Sequence, residues 1–234
     1  MMKICILEAD TPSDDLVGIA GTYGDMFETW LSPVLPHARF SCIAAYKGDL
    51  PASVDDYDGY LITGSLNSAY DDIAWIHSLR DFVRQVISCG VPVGGACFGH
   101  QLIAEAMGGT VALCKSGWSV GKTEYRATSV GSTWFGQDIL QVLAFHRDQV
   151  VELPPTATPL AGNDHCPWAA LAYGDKALSI QFHPEFAPEY VSALILKDSE
   201  GSIPAELAIS AVKNIGLGDT DVVARAFAKL FAVQ

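Results

Sequence analysis

Val91-Pro92-Val93-Gly94-Gly95-Ala96-Cys97-Phe98-Gly99-His100-Gln101-Leu102-Ile103-Ala104-Glu105-Ala106-Met107 reads as a strand, a sharp turn and a helix. An apolar run closes on small residues, a cysteine stands at the turn, and a helix-forming run follows at once. A turn this tight needs glycine at close quarters and holds its central side chain exposed at the carboxyl edge of a sheet. The positive N-terminal end of the following helix favours thiolate over thiol. Cys97 therefore reads as an activated sulfur nucleophile, although in isolation most single cysteines are only small buried residues.

Outward from this turn, strands and helices alternate. Lys3–Leu7, Phe40–Tyr46, Gly59–Ile62 and Val91–Gly95 are predicted strands. Gly24–Leu35 carries Met26, Phe27, Trp30 and Leu31 at helical spacing, and Ala74–Ser88 is a clear amphipathic helix. That alternation predicts an α/β fold with a mainly parallel central sheet flanked by helices, whose sites lie outside the carboxyl ends of the strands. Gly64-Ser65 and Cys97 both fall at such ends. From Thr110 the pattern becomes strand-rich, with Thr110–Cys114, Lys122–Ser129, Val142–Phe145, Thr158–Gly162, Trp168–Tyr173 and Ala177–Phe182 predicted as partly antiparallel strands. Helices over Pro188–Leu196, Pro204–Ile215 and Thr220–Phe231 close the chain. One domain over 1–234 is expected, with the helices from about 199 to 234 as an appendage.

Composition narrows the function classes. With 50% hydrophobic and 18% charged residues, the 234-residue chain can bury a sizeable core. A formal net charge of −13 argues against nucleic acid or an anionic membrane as the main partner and suits a soluble, cytoplasmic protein. The apolar run at the start is too short for a signal sequence, and no stretch approaches a membrane span. The six cysteines form no CxxC pair, so all but Cys97 read as mostly buried small hydrophobes. His146-x-Asp148 and Asp164-His165-Cys166 lack zinc spacing; neither a metal nor a cofactor is expected.

A thiol nucleophile needs a base and a group that orients the base. His183-Pro184-Glu185, at the end of the strand Ala177–Phe182, offers both. His183 would take the Cys97 proton and return it to the leaving amine, and Glu185 would hold the imidazole in the useful tautomer. The same tripeptide can also be a plain turn. Asp71 and Asp72 precede a helix and read as N-terminal caps. Trp118 reads equally as pocket lining or as an ordinary tryptophan.

Gly95-Ala96-Cys97-Phe98-Gly99-His100-Gln101 with His183-Pro184-Glu185 resembles the class I glutamine amidotransferase family. The nearest branch is the stand-alone one related to the amidotransferase domain of GMP synthetase, on the strength of Tyr70-Asp71-Asp72-Ile73-Ala74-Trp75-Ile76. The resemblance implies a flavodoxin-like class I amidotransferase fold with an additional antiparallel portion. It implies attack by Cys97 on the γ-carboxamide of glutamine, release of ammonia, and hydrolysis of a γ-glutamyl thioester. It places the backbone N–H groups of Phe98 and Ser65 in an oxyanion hole. Gly64, Gln101, His146, Arg147 and Asp148 fall at substrate-binding positions. One departure stands out: the family loop is Gly-Gly-Pro or Asn-Gly-Pro, whereas this chain has Gly64-Ser65-Leu66, so Ser65 is expected to constrain the hole.

The expected partners are a small γ-glutamyl substrate and, for released ammonia, a separate synthetase subunit. The competing readings are a γ-glutamyl peptidase, a non-catalytic binding or regulatory module, and a cysteine variant of the α/β-hydrolases. The last is disfavoured because the only good acid follows the histidine.

Overall fold

The computed structural model describes residues 1–198 and 202–232. Its elements run β1 (Lys3–Leu7), α1 (Asp14–Ala20), α2 (Tyr23–Leu31), β2 (Arg39–Ile43), β3 (Gly59–Ile62), α3 (Ala74–Ser88), β4 (Val93–Ala96) and α4 (Phe98–Ala106). There follow β5 (Thr110–Leu113), β6 (Ser119–Ala127), α5 (Ser129–Phe135), β7 (Ile139–His146), β8 (Asp148–Glu152), β9 (Thr158–Gly162), β10 (Ala170–Tyr173) and β11 (Ala177–Ile180). Helices α6 (Pro188–Asp198), α7 (Ala205–Lys213) and α8 (Thr220–Ala232) complete the order.

A nine-stranded sheet, β2-β1-β3-β4-β11-β10-β9-β6-β7, organises the chain. The pairings from β2 through β11 are parallel, and those from β11 to β7 are antiparallel. Strands β5 and β8 form a separate antiparallel pair. The fold is therefore the mainly parallel α/β sheet with an antiparallel extension that the sequence pattern predicts.

Both faces of the parallel part are covered, and the two-residue period of a strand divides its side chains between two cores. Ile4 and Ile6 of β1 join Leu61 of β3 in one cluster with Phe27 and Leu31 of α2. Cys5 and Leu7 join Tyr60 and Ile62 in the other, against Leu79 and Val83 of α3 and Leu102 and Ile103 of α4. Within the chain from about 199 onward, the apolar stripe of Thr220–Phe231 is expected to pack on the domain, and helix α8 does so. Its Val223, Phe227, Leu230 and Phe231 lie fully within the first cluster, and a Cβ on Gly94 would lie 2.6 Å from the Phe227 ring. Residues 199–201 and 233–234 of that expected segment lie outside the described residues.

Three elements escape the sequence pattern. Helix α1 lies between the predicted strand Lys3–Leu7 and the predicted helix Gly24–Leu35, unseen because its seven residues bury only Leu16 and show no apolar period. Helix α5, also seven residues, is hidden inside a serine- and glycine-containing stretch; the Thr128 side chain caps it by accepting from the Gly131 N–H. Strand β8 follows β7 after a single residue, and the two pair with different partners. Cysteine burial also departs from expectation: Cys42 and Cys89 are exposed. Among the described residues no helix is long and apolar enough to cross a membrane.

Candidate active site

The turn between β4 and α4 is the one place among the described residues where a non-glycine residue has positive φ: Cys97, at φ 51° and ψ −106°. Such a conformation stores about 1–3 kcal/mol and persists only where the surroundings over-determine it. Here they do. The Cys97 N–H donates to the Ile180 carbonyl at 2.9 Å, tying the elbow to β11, and the Gly99 N–H donates to Thr63 at 3.2 Å, tying it to the end of β3. The helix turns back so closely that a Cβ on Gly95 would lie 2.6 Å from the Gly99 backbone, and one on Gly99 would strike the Ile62 carbonyl. The two glycines flanking Cys97 are thus required by backbone approach.

His183 follows β11, the strand paired with β4, so the sheet itself places the imidazole beside the elbow. The His183 N–H donates to the Leu143 carbonyl at 2.8 Å, and its ring lies flat on Phe186, with centroids 4.0 Å apart and planes 3° apart. Glu185 Oε1 lies 2.7 Å from His183 Nδ1 in full burial. Burial by itself pushes this imidazole down; the Glu185 carboxylate and the Cys97 sulfur, hydrogen-bonded on either side, outweigh it and hold the ring well above the ordinary histidine range. The group is favoured as an imidazolium against the Glu185 carboxylate. Cys97 Sγ has the Phe145 carbonyl 3.9 Å away.

Burial pushes Cys5 and Cys166 up to about 12, which makes them inert at neutral pH. Cys97 is the one cysteine lining a cavity of about 210 Å³ at the carboxyl edge of the sheet. That cavity also brings together Gly64, Ser65, Gln101, His146, Arg147, Asp148 and His183, and Trp118 lines it as well.

The individual placements refine the sequence reading. Gly64 leaves room for the reacting pair: a Cβ there would sit 3.1 Å from His183 Cε1 and 3.7 Å from Cys97 Cβ. Ser65 was expected to constrain the loop, yet its φ is not positive, so serine is unstrained there. Its hydroxyl accepts from the Asn67 N–H at 3.1 Å and faces Asp10 Oδ2 at 3.5 Å, fastening the turn. Gln101 lines the cavity but commits its amide N–H groups to the Asp148 carbonyl at 2.9 Å and Gln181 Oε1 at 3.1 Å. The Asp148 carbonyl also accepts from His146 Nδ1 at 3.1 Å, which leaves Nε2 of this buried ring bare. Burial pushes His146 down to about 3, so it stays neutral.

Asp71 does not cap α3, whose N-cap is Ile73 with no side-chain bond; it accepts from the Ser68 N–H at 2.9 Å and closes a turn. Asp72 instead faces the exposed His77 ring at 2.7 Å.

Two supports were not singled out from sequence. Asp10, just past β1, accepts from the Leu66 N–H at 2.9 Å and so holds the Gly64–Leu66 loop against the sheet edge. Ser68 donates to Asp148 Oδ2 at 2.5 Å, joining that loop to the opposite wall. The only sequence signal for Asp10 is its position at the carboxyl end of a predicted parallel strand.

A family model described as "Glutamine amidotransferase class-I" matches residues 27–199. A glutamine amidotransferase-like protein of Schizosaccharomyces pombe is 30% identical over 204 residues, covering 82% of each chain. Gamma-glutamyl peptidase 4 of Arabidopsis thaliana is 34% identical over 174 residues, covering 70% of this chain and 69% of its own. Among solved structures, a glutamine amidotransferase from Methylobacillus flagellatus superposes with a TM-score of 0.79 at 23% identity, over 99% of this chain and 93% of that one. This last likeness concerns the fold.

Proposed function

The chain belongs to the class I glutamine amidotransferase family, and on that premise we propose that it hydrolyses γ-glutamyl amides through a Cys97 thioester, releasing ammonia when the amide is glutamine. The observation that carries the reading is the buried line Glu185–His183–Cys97, with the sulfur on a strained elbow facing a cavity. Cys97 Sγ attacks the γ-carbonyl carbon. The oxyanion accepts from the Phe98 N–H, first in α4, and from the Ser65 N–H, each such donor being worth about 3 kcal/mol in the transition state. The C–N bond then breaks as His183 gives its proton to the departing nitrogen. Water, deprotonated by His183, attacks the thioester and frees glutamate and the thiol.

Gly64 makes room for the acyl chain, and Gln101, His146, Arg147 and Asp148 form the wall that receives the α-amino and α-carboxylate groups. Arg147 matches a carboxylate as a planar fork, and the Asp148 carboxylate, held by Ser68, matches an ammonium. Ammonia from glutamine would pass to a separate synthetase subunit. A second reading, γ-glutamyl peptidase, is favoured by the name of the Arabidopsis relative.

The test is mass spectrometry of the protein after reaction with an electrophilic glutamine analogue, alongside glutamate release from glutamine and from γ-glutamyl peptides. A mass addition on Cys97 that Cys97→Ala abolishes is expected. An unmodified Cys97, with no glutamate from any γ-glutamyl compound, would leave a binding module as the better description.

A further inference from the structure

The cavity has two unlike walls. One is polar, built from Gln101, His146 and Asp148 with Ser68 bonded to it. The other begins at the His183 ring and is aromatic and aliphatic. Phe186 lies flat on His183, Tyr23 stacks on Phe186 at 6.3 Å, and Trp118 packs on Phe145 at 5.4 Å, with Leu194 beside them. Trp118 is fixed by donating its indole N–H to the Ser202 carbonyl at 3.1 Å. Tyr23, Phe145, Phe186 and Leu194 belong to one buried cluster, so this wall is a preformed surface continuous with the core.

Which substituent meets which wall follows from the chemistry. His183 must reach the departing nitrogen, so whatever that nitrogen carries lies on the His183 side. Ammonia carries nothing and has no use for an apolar surface. A peptide leaving group carries a carboxylate, and the charges disfavour it. Apart from the His183 imidazole, Arg147 is the one cation among the lining residues, and the α-carboxylate of the glutamyl group takes it. Lys115, exposed in the segment before Trp118, does not line the cavity. A second anion therefore meets bare apolar surface in a chain of net charge −13.

We propose that the Tyr23–Trp118–Phe186–Leu194 wall is a leaving-group subsite that selects γ-glutamyl amides of uncharged, apolar amines over both glutamine and γ-glutamyl peptides. The proposal rests on the thioester reading of Cys97. The balanced reaction is γ-glutamyl amide plus water to glutamate plus amine. The C–S bond forms first, the γ-carbonyl C–N bond breaks as the oxyanion collapses, His183 supplies the proton the amine takes, and water replaces sulfur in the second step.

The test measures kcat/KM for γ-glutamyl ethylamide, butylamide and hexylamide, with glutamine and γ-glutamylglycine in the same series. The three alkylamines have nearly equal basicity, so differences among them report binding. Glycine is the less basic, better leaving amine, so its disadvantage cannot come from bond cleavage. We expect kcat/KM to rise about tenfold from ethylamide to butylamide, as two buried methylenes imply, and γ-glutamylglycine to fall below ethylamide. Leu194→Arg should raise the γ-glutamylglycine-to-butylamide ratio about tenfold or more, a ratio independent of how much of the variant folds. A flat alkyl series, or γ-glutamylglycine at or above butylamide, overturns the subsite while leaving the thioester chemistry in place. No turnover of any γ-glutamyl compound, with Cys97 unreactive, overturns both.

Discussion

Replacing Glu185 by glutamine isolates the electrostatic part of the site. The amide keeps the size of the side chain and an oxygen able to accept from His183 Nδ1, now 2.7 Å away, but loses the charge. Burial is the largest influence on the imidazole and pushes it down; in the native chain the carboxylate and the thiol override it. Opposite charges about 4 Å apart at an effective dielectric of about 20 attract by about 4 kcal/mol. That is roughly a thousandfold in the imidazolium population. Without it, an imidazole held up at about 10 drops by roughly three pH units, back toward the ordinary range.

Two readouts follow from Glu185→Gln. Glutamate release is expected to fall about 10²- to 10⁴-fold, the range for disabling a general acid–base and its orienting carboxylate. The His183 ring resonances, followed by NMR, should titrate about three pH units lower in the variant than in the native chain. Stability carries the same sign. A raised folded-state value stabilises fully below the unfolded value of about 6.5 and is lost as pH rises through the folded value. In the variant most of this contribution disappears, because the folded and unfolded values nearly coincide. A variant within threefold of native turnover, with the His183 titration unmoved, would refute the reasoning.

Other consequences are open to direct measurement. His100 and His146 are both pushed down by burial to about 3, so below about 6.5 the unfolded chain takes up protons that the folded chain refuses. The unfolding free energy from urea titration should therefore drop by about 3 kcal/mol between pH 6.5 and 5, and a flat profile would contradict the burial argument. Gly99→Ala drives a methyl into the Ile62 carbonyl, so a loss of about 2–4 kcal/mol is expected in urea unfolding. Asp10→Ala frees the Leu66 N–H and loosens the Gly64–Leu66 loop; kcat should fall about tenfold or more while KM changes little. Ser65→Gly leaves the backbone free but removes the hydroxyl that closes the turn, so a lower kcat is expected rather than a faster enzyme.

The parallel strands and the long helices were legible because their physics is local. Both-face burial gives continuous apolar runs, as in β3 and β4, and one-face burial gives the 3.6-residue stripe of α3. Short elements such as α1, α5 and β8 were not, because packing against distant segments, rather than their own pattern, holds them. The C-terminal helix α8 shows the same limit in reverse: its apolar stripe was visible, but not that glycine-lined β4 leaves the space its phenylalanine fills.

At the site, sequence alone determined the residue types and their order: a cysteine at a glycine-flanked turn, and a His-x-Glu at a later strand end. Those follow from backbone sterics and the needs of a thiol nucleophile. Only tertiary structure decided that β4 and β11 are neighbours, which brings Cys97 and His183 to one edge although 86 residues separate them in the numbering. It also decided which supports matter. Asp10, Ser68 and the aromatic wall act through space, on side chains that come from different strands and helices. A hydrogen bond or a stacked ring depends on where folding puts its partner, and no local spacing records that.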